Sequence, residues 1–376
     1  MSISFRVFSS AEAVGRDVWN ALALRASPMA EWEYFYSLEE SGSVSEERGY
    51  RPCHLAAYAG KFPIALAPLY ERDRAWVEFG DGGLIEFLTE ITGLPFHLGL
   101  VGSIPYTPAP GYEFLRRPDA DPIMTDKMLL DYIDYMCRNR KLLTSRIYFV
   151  SMGSPHLHSL LRQQGYMSLR SQYYLWFNRG YGDFDDYLKS FRSSRRTKIK
   201  RELRTIREQG IRLSVVDGKD APAAYFDDVY QLYLRTWTKH MGLRVLPFLN
   251  GTFFELLGRY FRHRIFFSLA SLMGGNVGMA LFYHKAKSIF GRYWGCFDEV
   301  PFLHFATCYY HPIQYAIENG VESMDPGFGG EHKLIRGYEV VPIYHYIKFH
   351  GERPRRMAVS ILQQMREISI NDVERI

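Results

Sequence analysis

Two stretches of this chain, residues 54–80 and 269–295, run in register without a gap at a shift of 215 positions. Gly60 then meets Gly275, Ala65 meets Ala280, Leu66 meets Leu281, and Phe79-Gly80 meets Trp294-Gly295. Each stretch reads as strand, tight turn, apolar strand, charged turn and aromatic strand. Each is preceded by a helical pattern and followed, after a loop, by an amphipathic helix and a short strand. A repeat of this kind constrains the fold more than composition does, because it makes each copy a supersecondary unit of one kind. In the first copy Leu129, Leu130, Tyr132, Ile133 and Met136 predict a helix over 125–138, with a strand over 146–150 behind it. In the second copy the pattern predicts a helix over 305–318 that Pro312 kinks or breaks, ended by Asn319-Gly320 and followed by a strand over 322–324. The expected fold class is α/β (α+β), with one domain over 1–168 and a second over 169–376. Each would be a mixed, mostly antiparallel sheet flanked by helices, and 376 residues suit two domains.

Composition removes several alternatives. Hydrophobic residues at 47% and charged residues at 23% belong to a globular chain. The uncharged run over 265–283 is interrupted by Gly274, Gly275 and Asn276, which predicts a hairpin turn where a membrane span would need about 20 unbroken apolar residues. No charged segment followed by an apolar one opens the chain, so a cytoplasmic protein is expected. Cys53, Cys137, Cys296 and Cys308 are scattered and contain no CxxC pair, which points to reduced thiols and to no metal.

The net charge of +5 conceals a concentration. Residues 189–207 hold nine Lys and Arg against Glu202 alone, so this segment is +8 and the remainder is −3. A helix is expected over 185–209, stopped by Gly210, with Leu188, Phe191, Ile199, Leu203 and Ile206 on one narrow stripe. Cations crowd the other faces and repel one another. Either the helix is solvated and salt-paired, or phosphates of a cofactor, a nucleic acid or an anionic lipid compensate it. Arg195, Arg196, Lys198 and Arg201 are the candidate phosphate ligands.

A second cluster lies further along. Residues 325–333 read Asp-Pro-Gly-Phe-Gly-Gly-Glu-His-Lys, with Arg336 and Gly337 close behind. Its glycines let the backbone approach a ligand closely, and His332 is a candidate general base because an imidazole titrates near neutrality. Glu331 could orient a neighbouring group, and Lys333 and Arg336 could hold an anion. A tight loop with a surface histidine is the plainer reading of the same letters.

Several motifs then occur in order. Residues 174–181 read Tyr-Leu-Trp-Phe-Asn-Arg-Gly-Tyr, residues 193–202 read Ser-Ser-Arg-Arg-Thr-Lys-Ile-Lys-Arg-Glu, and Gly-Arg-Tyr-Trp-Gly, Leu-His-Phe, Cys-Tyr-Tyr and Gly-Glu-His-Lys follow at 291–295, 303–305, 308–310 and 330–333. The chain thereby resembles the FemAB-like proteins of peptidoglycan biosynthesis and recognition, within the GNAT acyltransferase superfamily. The resemblance implies two tandem GNAT-like domains, in agreement with the repeat, and transfer of an acyl or aminoacyl group to an amine. Two positions depart from the family pattern: Ala306 stands where an acidic residue is usual, and Gly329 where Gln is usual. The pyrophosphate loop of simple GNAT enzymes is not recognisable, and residues 301–305 occupy its place.

The stretch 82–102 is more apolar than the resemblance would suggest. Leu84, Phe87 and Phe96, with Tyr106 beyond them, suit either a hydrocarbon chain or ordinary packing between domains. The resulting expectation is an N-acyltransferase. It takes a long-chain acyl group from acyl-CoA or acyl carrier protein and passes it to a primary amine, a sphingoid-like lipid being the favoured acceptor, at a peripheral membrane surface. His332 is the expected base, with His304 or Asp81 as substitutes. Tyr293 would protonate the leaving thiolate, and backbone amides near Trp294 and Gly295 would hold the oxyanion. Aminoacyl-tRNA-dependent transfer to a peptidoglycan precursor or small metabolite is the alternative, and a non-enzymatic lipid- or wall-binding module is the third.

Overall fold

A computed structural model describes residues 2–74, 79–242 and 245–373. The chain forms two compact units, but they are not two consecutive stretches. The first consists of Met1–Trp32, Val44–Ser171 and Ile343–Ile376, and the second of Glu33–Ser43 and Gln172–Pro342. The break at Ser171/Gln172 lies three residues from the expected one. What differs from two domains over 1–168 and 169–376 is the exchange of two segments. The helix Trp32–Glu40 joins the second unit through Tyr34, whose ring meets Phe253, Phe261 and Tyr283 at 5.7, 6.3 and 5.7 Å. The long strands Met167–Phe177 and Glu339–Phe349 each contain a unit boundary, so the chain passes between units along them.

Each unit contains, in this order, a strand, two helical segments and a hairpin. In the first, Ile3–Phe8 pairs antiparallel with His54–Ala59, which pairs with Phe62–Ala67. In the second, Arg212–Asp217 pairs with Ile265–Leu272, which pairs with Gly275–Lys285. The repeat is therefore real, but its register is not the one the identities suggest. The tight turns are Gly60-Lys61 and Met273-Gly274, a shift of 213 positions. Both hairpins also carry a bulge, between Ala57 and Tyr58 and between Ala270 and Ser271, again 213 apart. Side chains alternate across a strand with period two, so a two-residue slip keeps every apolar residue on its proper face. The pattern was thus legible at either offset. The aromatic strand of the first copy falls partly on residues 75–78, outside the described residues.

After the hairpin the second unit continues with Ser288–Cys296, antiparallel to Gly275–Lys285. Its register shifts between Leu281 and Phe282, which face Tyr293 and Gly291, so Arg292 is the extra residue of a bulge. Ser288–Cys296 then pairs in parallel with Ser323–Asp325, but only over Ser288, Ile289 and Phe290. That pairing uses all three residues of Ser323–Asp325, and the loop that leaves the sheet after Asp325 carries the site.

The helix expected over 305–318 is a composite of Leu303–Phe305, a π-helical turn Ala306–Tyr310 and His311–Glu318. Pro312 has no amide hydrogen and its ring excludes the carbonyl one turn back, which accounts for the widened turn before it. The single helix expected over 185–209 is two, Phe184–Lys189 and Ser193–Glu208. Asp183 caps the first, accepting from the Asp186 amide, and Ser190 closes it by donating to the Tyr187 carbonyl at 2.7 Å. The apolar stripe lies as expected: Leu188, Ile199 and Ile206 are buried, with Phe191 and Leu203 packed beside them. The apolar stretch 82–102 folds into the helix Leu84–Thr92 and the strand Gly99–Gly102, and Ile85, Leu88, Phe96 and Leu100 enter the core of the first unit.

A Cβ on Gly295 would lie 2.6 Å from the Leu232 Cβ and 2.7 Å from its carbonyl oxygen, so Gly295→Ala should cost roughly 1–3 kcal/mol or more, read from the urea midpoint. Burial also holds His345 and His350 down to about 4, whereas an unfolded imidazole titrates near 6.5. Between these values the unfolded chain binds protons that the folded chain refuses. Their stabilising contribution is therefore complete above pH 6.5 and is lost as pH falls toward 4. The unfolding free energy from urea titration should drop from pH 7 to pH 5, by on the order of 1 kcal/mol for each of these two histidines.

Candidate active site

The candidate site is formed by the start of the composite helix and the loop that follows Asp325. Asp325 organises that loop. Its Oδ1 accepts from the Tyr173 hydroxyl at 2.7 Å and from the Gly327 amide at 2.8 Å, and its Oδ2 accepts from the buried Arg292 at 2.8 Å. The chain then reaches Gly330 at φ 84° and a short 3-10 turn, Glu331–Arg336. His332 folds back over Gly330, where a Cβ would lie 2.2 Å from His332 Cε1. Glycine is required here twice, by its φ and by the ring above it.

The rings of His304, Phe305, Tyr309 and His332 gather around this turn. Tyr309 Oη and His332 Nε2 are 2.9 Å apart. The His304 ring is 6.1 Å from that of His332, 5.3 Å from Tyr309 and 5.1 Å from Trp294. The Arg336 guanidinium lies 3.5 Å over Phe305. Burial lowers the pKa of His304 to about 4, with His332, Arg336 and Lys333 adding to the effect. His332 is lowered from 6.5 by burial, then by Arg336 and Lys333. Both imidazoles are thus neutral at pH 7, as proton acceptance requires. Lys333 is buried, donates to the Gly327 carbonyl at 2.6 Å, and is brought down to about 8 by burial.

What fixes the His332 turn is a buried carboxylate in the basic helix. Glu202 accepts from the Tyr310 hydroxyl at 2.6 Å and lies 3.8 Å from Arg195 and 3.7 Å from Arg336. Arg195 in turn donates to the Ile335 carbonyl at 2.7 Å, Arg336 donates to the His332 carbonyl at 2.8 Å, and the Tyr187 hydroxyl donates to the Arg336 carbonyl at 2.8 Å. Arg195 and Arg336 therefore serve as struts, which is not the anion-binding role expected of them. Arg196 is half-buried, while Lys198 and Arg201 are exposed on the outer face. Glu331 is exposed.

Other expected residues stand elsewhere. In the strand Ser288–Cys296, Trp294 stacks on His304, so alternation sends Tyr293 and Gly295 to the opposite face. Tyr293 there meets Tyr34 at 3.3 Å between hydroxyls and packs against Tyr233, Phe253 and Phe254, and burial raises its pKa. Tyr309, not Tyr293, is the hydroxyl beside His332. Asp81, Leu84, Phe87, Phe96 and Tyr106 belong to the first unit. Asp81 is buried, accepting from the Tyr148 hydroxyl at 2.8 Å and the Gly83 amide at 2.9 Å. Phe96 is core, edge-on to Phe349, and Leu84 and Phe87 are half-buried. Tyr106 is half-buried at φ 54° beside Tyr50. Ala306, where an acidic side chain is usual, is buried beside Leu303 and Ile206. Among the described residues no group of three or more His, Cys, Asp or Glu could hold a metal ion.

Sequence reasoning missed Glu202 and Tyr309. Glu202 could have been found, because it falls on the apolar stripe of Ile199, Leu203 and Ile206 and an acid there must be paired. Tyr309 had no such signal, since the π-helical turn moves it out of ordinary helical phase. Glu202→Gln should leave Arg195 and Arg336 without their shared counter-charge. The expected loss is about 3–5 kcal/mol in urea unfolding, as for other broken buried ion pairs.

No curated protein sequence matches the chain. Among solved structures, the crystal structure of FemX is similar at a TM-score of 0.56 and 10% identity, covering 92% of this chain and 97% of that one. The C-terminal domain of a putative lysylphosphatidylglycerol synthetase from Agrobacterium fabrum is similar at 0.55 and 12%, covering 94% and 96%. A conserved protein of unknown function from Bacteroides thetaiotaomicron reaches 0.55 at 9%, covering 93% and 100%. These likenesses establish a shared α/β fold, and the order of elements in each unit is GNAT-like as expected. The FemAB_like family, described as peptidoglycan biosynthesis/recognition, matches residues 10–375. With that match running nearly end to end, the chain belongs to the FemAB-like family, which supports transfer of an acyl or aminoacyl group.

Proposed function

We propose that the chain is an N-acyltransferase whose chemistry is carried by the contact of His332 with Tyr309. A neutral imidazole, hydrogen-bonded to a tyrosine hydroxyl and braced from behind by Arg336, is suited to take a proton from an attacking amine. The new N–C bond forms as the C–S bond of the thioester breaks. The amine proton passes to His332 and from there to the leaving thiolate. Burial raises the pKa of Tyr309, so its hydroxyl stays protonated and acts as a hydrogen-bond partner, not as a base. His304 remains neutral behind it, keeping a second positive charge away from His332.

The donor in this reading is acyl-CoA or acyl carrier protein, with its phosphates on the cationic helix at the half-buried Arg196. The favoured acceptor remains a primary amine on a lipid, sphingoid-like in character. In this reading its chain would lie in a groove of about 600 Å³ in the second unit, where Leu203, Ile206, Ile211 and Leu213 alternate with Arg207, Arg212, His311 and Gln314. A second reading, aminoacyl-tRNA-dependent transfer to a peptidoglycan precursor, is favoured by the family's description. Incubating the protein with long-chain acyl-CoA and a long-chain base, and in parallel with aminoacyl-tRNA and a peptidoglycan precursor, separates the two by the product formed.

The base assignment carries its own test. His332→Ala should lower kcat by at least about 100-fold, and Tyr309→Phe by on the order of tenfold. Because His332 is lowered from 6.5, kcat/KM of the unmodified protein should fall only below that pH. This acid limb should vanish in His332→Ala, whereas an alkaline rise set by the acceptor amine should persist. Full activity in His332→Ala would remove the proposal.

A further inference from the structure

The turn that carries His332 also displays large apolar side chains to solvent. Phe328 is 64% exposed, Leu334 44% and Ile335 48%. Three such residues within eight positions are costly in water, and all lie on one loop of the second unit. The basic helix Ser193–Glu208 is fastened to this loop, since Arg195 holds the Ile335 carbonyl. At 3.6 residues per turn, Arg201 and Arg204 lie on the side of the helix away from the buried Ile199, Glu202 and Ile206, Lys198 lies on its flank, and all three are exposed. Among the described residues the helix's ion pairs are Arg195 with Glu202, Arg336 with Glu202 and Lys200 with Asp185, so Lys198, Arg201 and Arg204 have no acidic partner. The helix's one internal acid is spent inward, and its other, Glu208, stands at the C-terminal end. An apolar loop tip tethered to a cationic helix has the composition of a surface that enters the interface of an anionic bilayer.

We infer that the loop 328–335 and the outer face of the helix Ser193–Glu208 together form a docking surface for anionic phospholipid membrane, with Phe328, Leu334 and Ile335 entering the interface and Lys198, Arg201 and Arg204 on the headgroup phosphates. The inference rests on the proposed function only for its purpose, that of bringing a lipid amine to His332. Nucleic acid would use the same cations but has no use for an exposed aliphatic pair, so the bilayer is the better match to both features.

The full chain, without donor or acceptor, is sedimented with vesicles of phosphatidylglycerol and phosphatidylcholine in equal parts, and with vesicles of phosphatidylcholine alone. Binding is expected to the first and not the second, weakening as ionic strength rises. Lys198→Glu, Arg201→Glu and Arg204→Glu should each weaken it by at least about fivefold. The combined Phe328→Ser, Leu334→Ser and Ile335→Ser variant should weaken it at unchanged net charge. The comparison of the two vesicle types needs no variant and so stands even where a substitution disturbs folding. Equal affinity for both vesicle types, wild-type binding by the triple serine variant, or retention of tRNA with no vesicle binding would each overturn the inference. Since no turnover is read, failure here leaves the transfer reading intact, and loss of transfer in His332→Ala leaves this one intact.

Discussion

One buried carboxylate holds the second unit's chemistry in place. Glu202 sits on the inward stripe of a helix that is otherwise cationic, and from there it meets Arg195, Arg336 and the Tyr310 hydroxyl. Each partner belongs to a different neighbourhood: the helix itself, the His332 turn, and the π-helical turn of the composite helix. A single charge thus joins three elements, of which the basic helix and the π-helical turn also share an apolar core. Buried ion pairs seldom add much net stability over apolar packing, but once present they punish any arrangement that separates them. Their value here is specificity, because the position of His332 is set by the carbonyl that Arg336 holds.

The surroundings of His332 obey the same economy of charge. Arg336 and Lys333 are near enough to disfavour an imidazolium, and burial works in the same direction. The cations that might have been read as substrate ligands therefore tune a proton acceptor instead. The aromatic wall of Trp294, Phe305 and Tyr309 limits water around the imidazole, and the adjacent His304 is kept neutral by burial.

Much of the fold was legible in the sequence because its signals were periodic. The hairpins, the apolar stripe of the basic helix and the strand–helix order all rest on spacing, and spacing tolerates error: the repeat was read two residues out of register without disturbing which side chains face inward. The composite helix was legible as far as Pro312 marks an interruption, but a π-helical turn has no residue signature, and Tyr309 was lost with it. Site residues read from type alone fared unevenly. His332 and Trp294 both come to the His304 ring. Arg195 and Arg336 look like anion ligands by type, yet their partner is Glu202, far from Arg336 in sequence and visible only once the chain has folded. Tyr293 and Trp294 are neighbours in sequence and so must point to opposite faces of a strand, which period two alone could have revealed.

The exchange of segments between the units bears on how the protein is made. The first unit includes residues 343–376, which leave the ribosome only after the whole of the second unit's chain. Its strand Thr144–Ile147 finds its antiparallel partner at Tyr346–Phe349, about 200 residues later. The second unit, apart from the helix Trp32–Glu40, is a continuous stretch that can complete its own sheet during synthesis. The first must wait with one side of Thr144–Ile147 unfilled, so the earlier half of the gene encodes the later half of the folding.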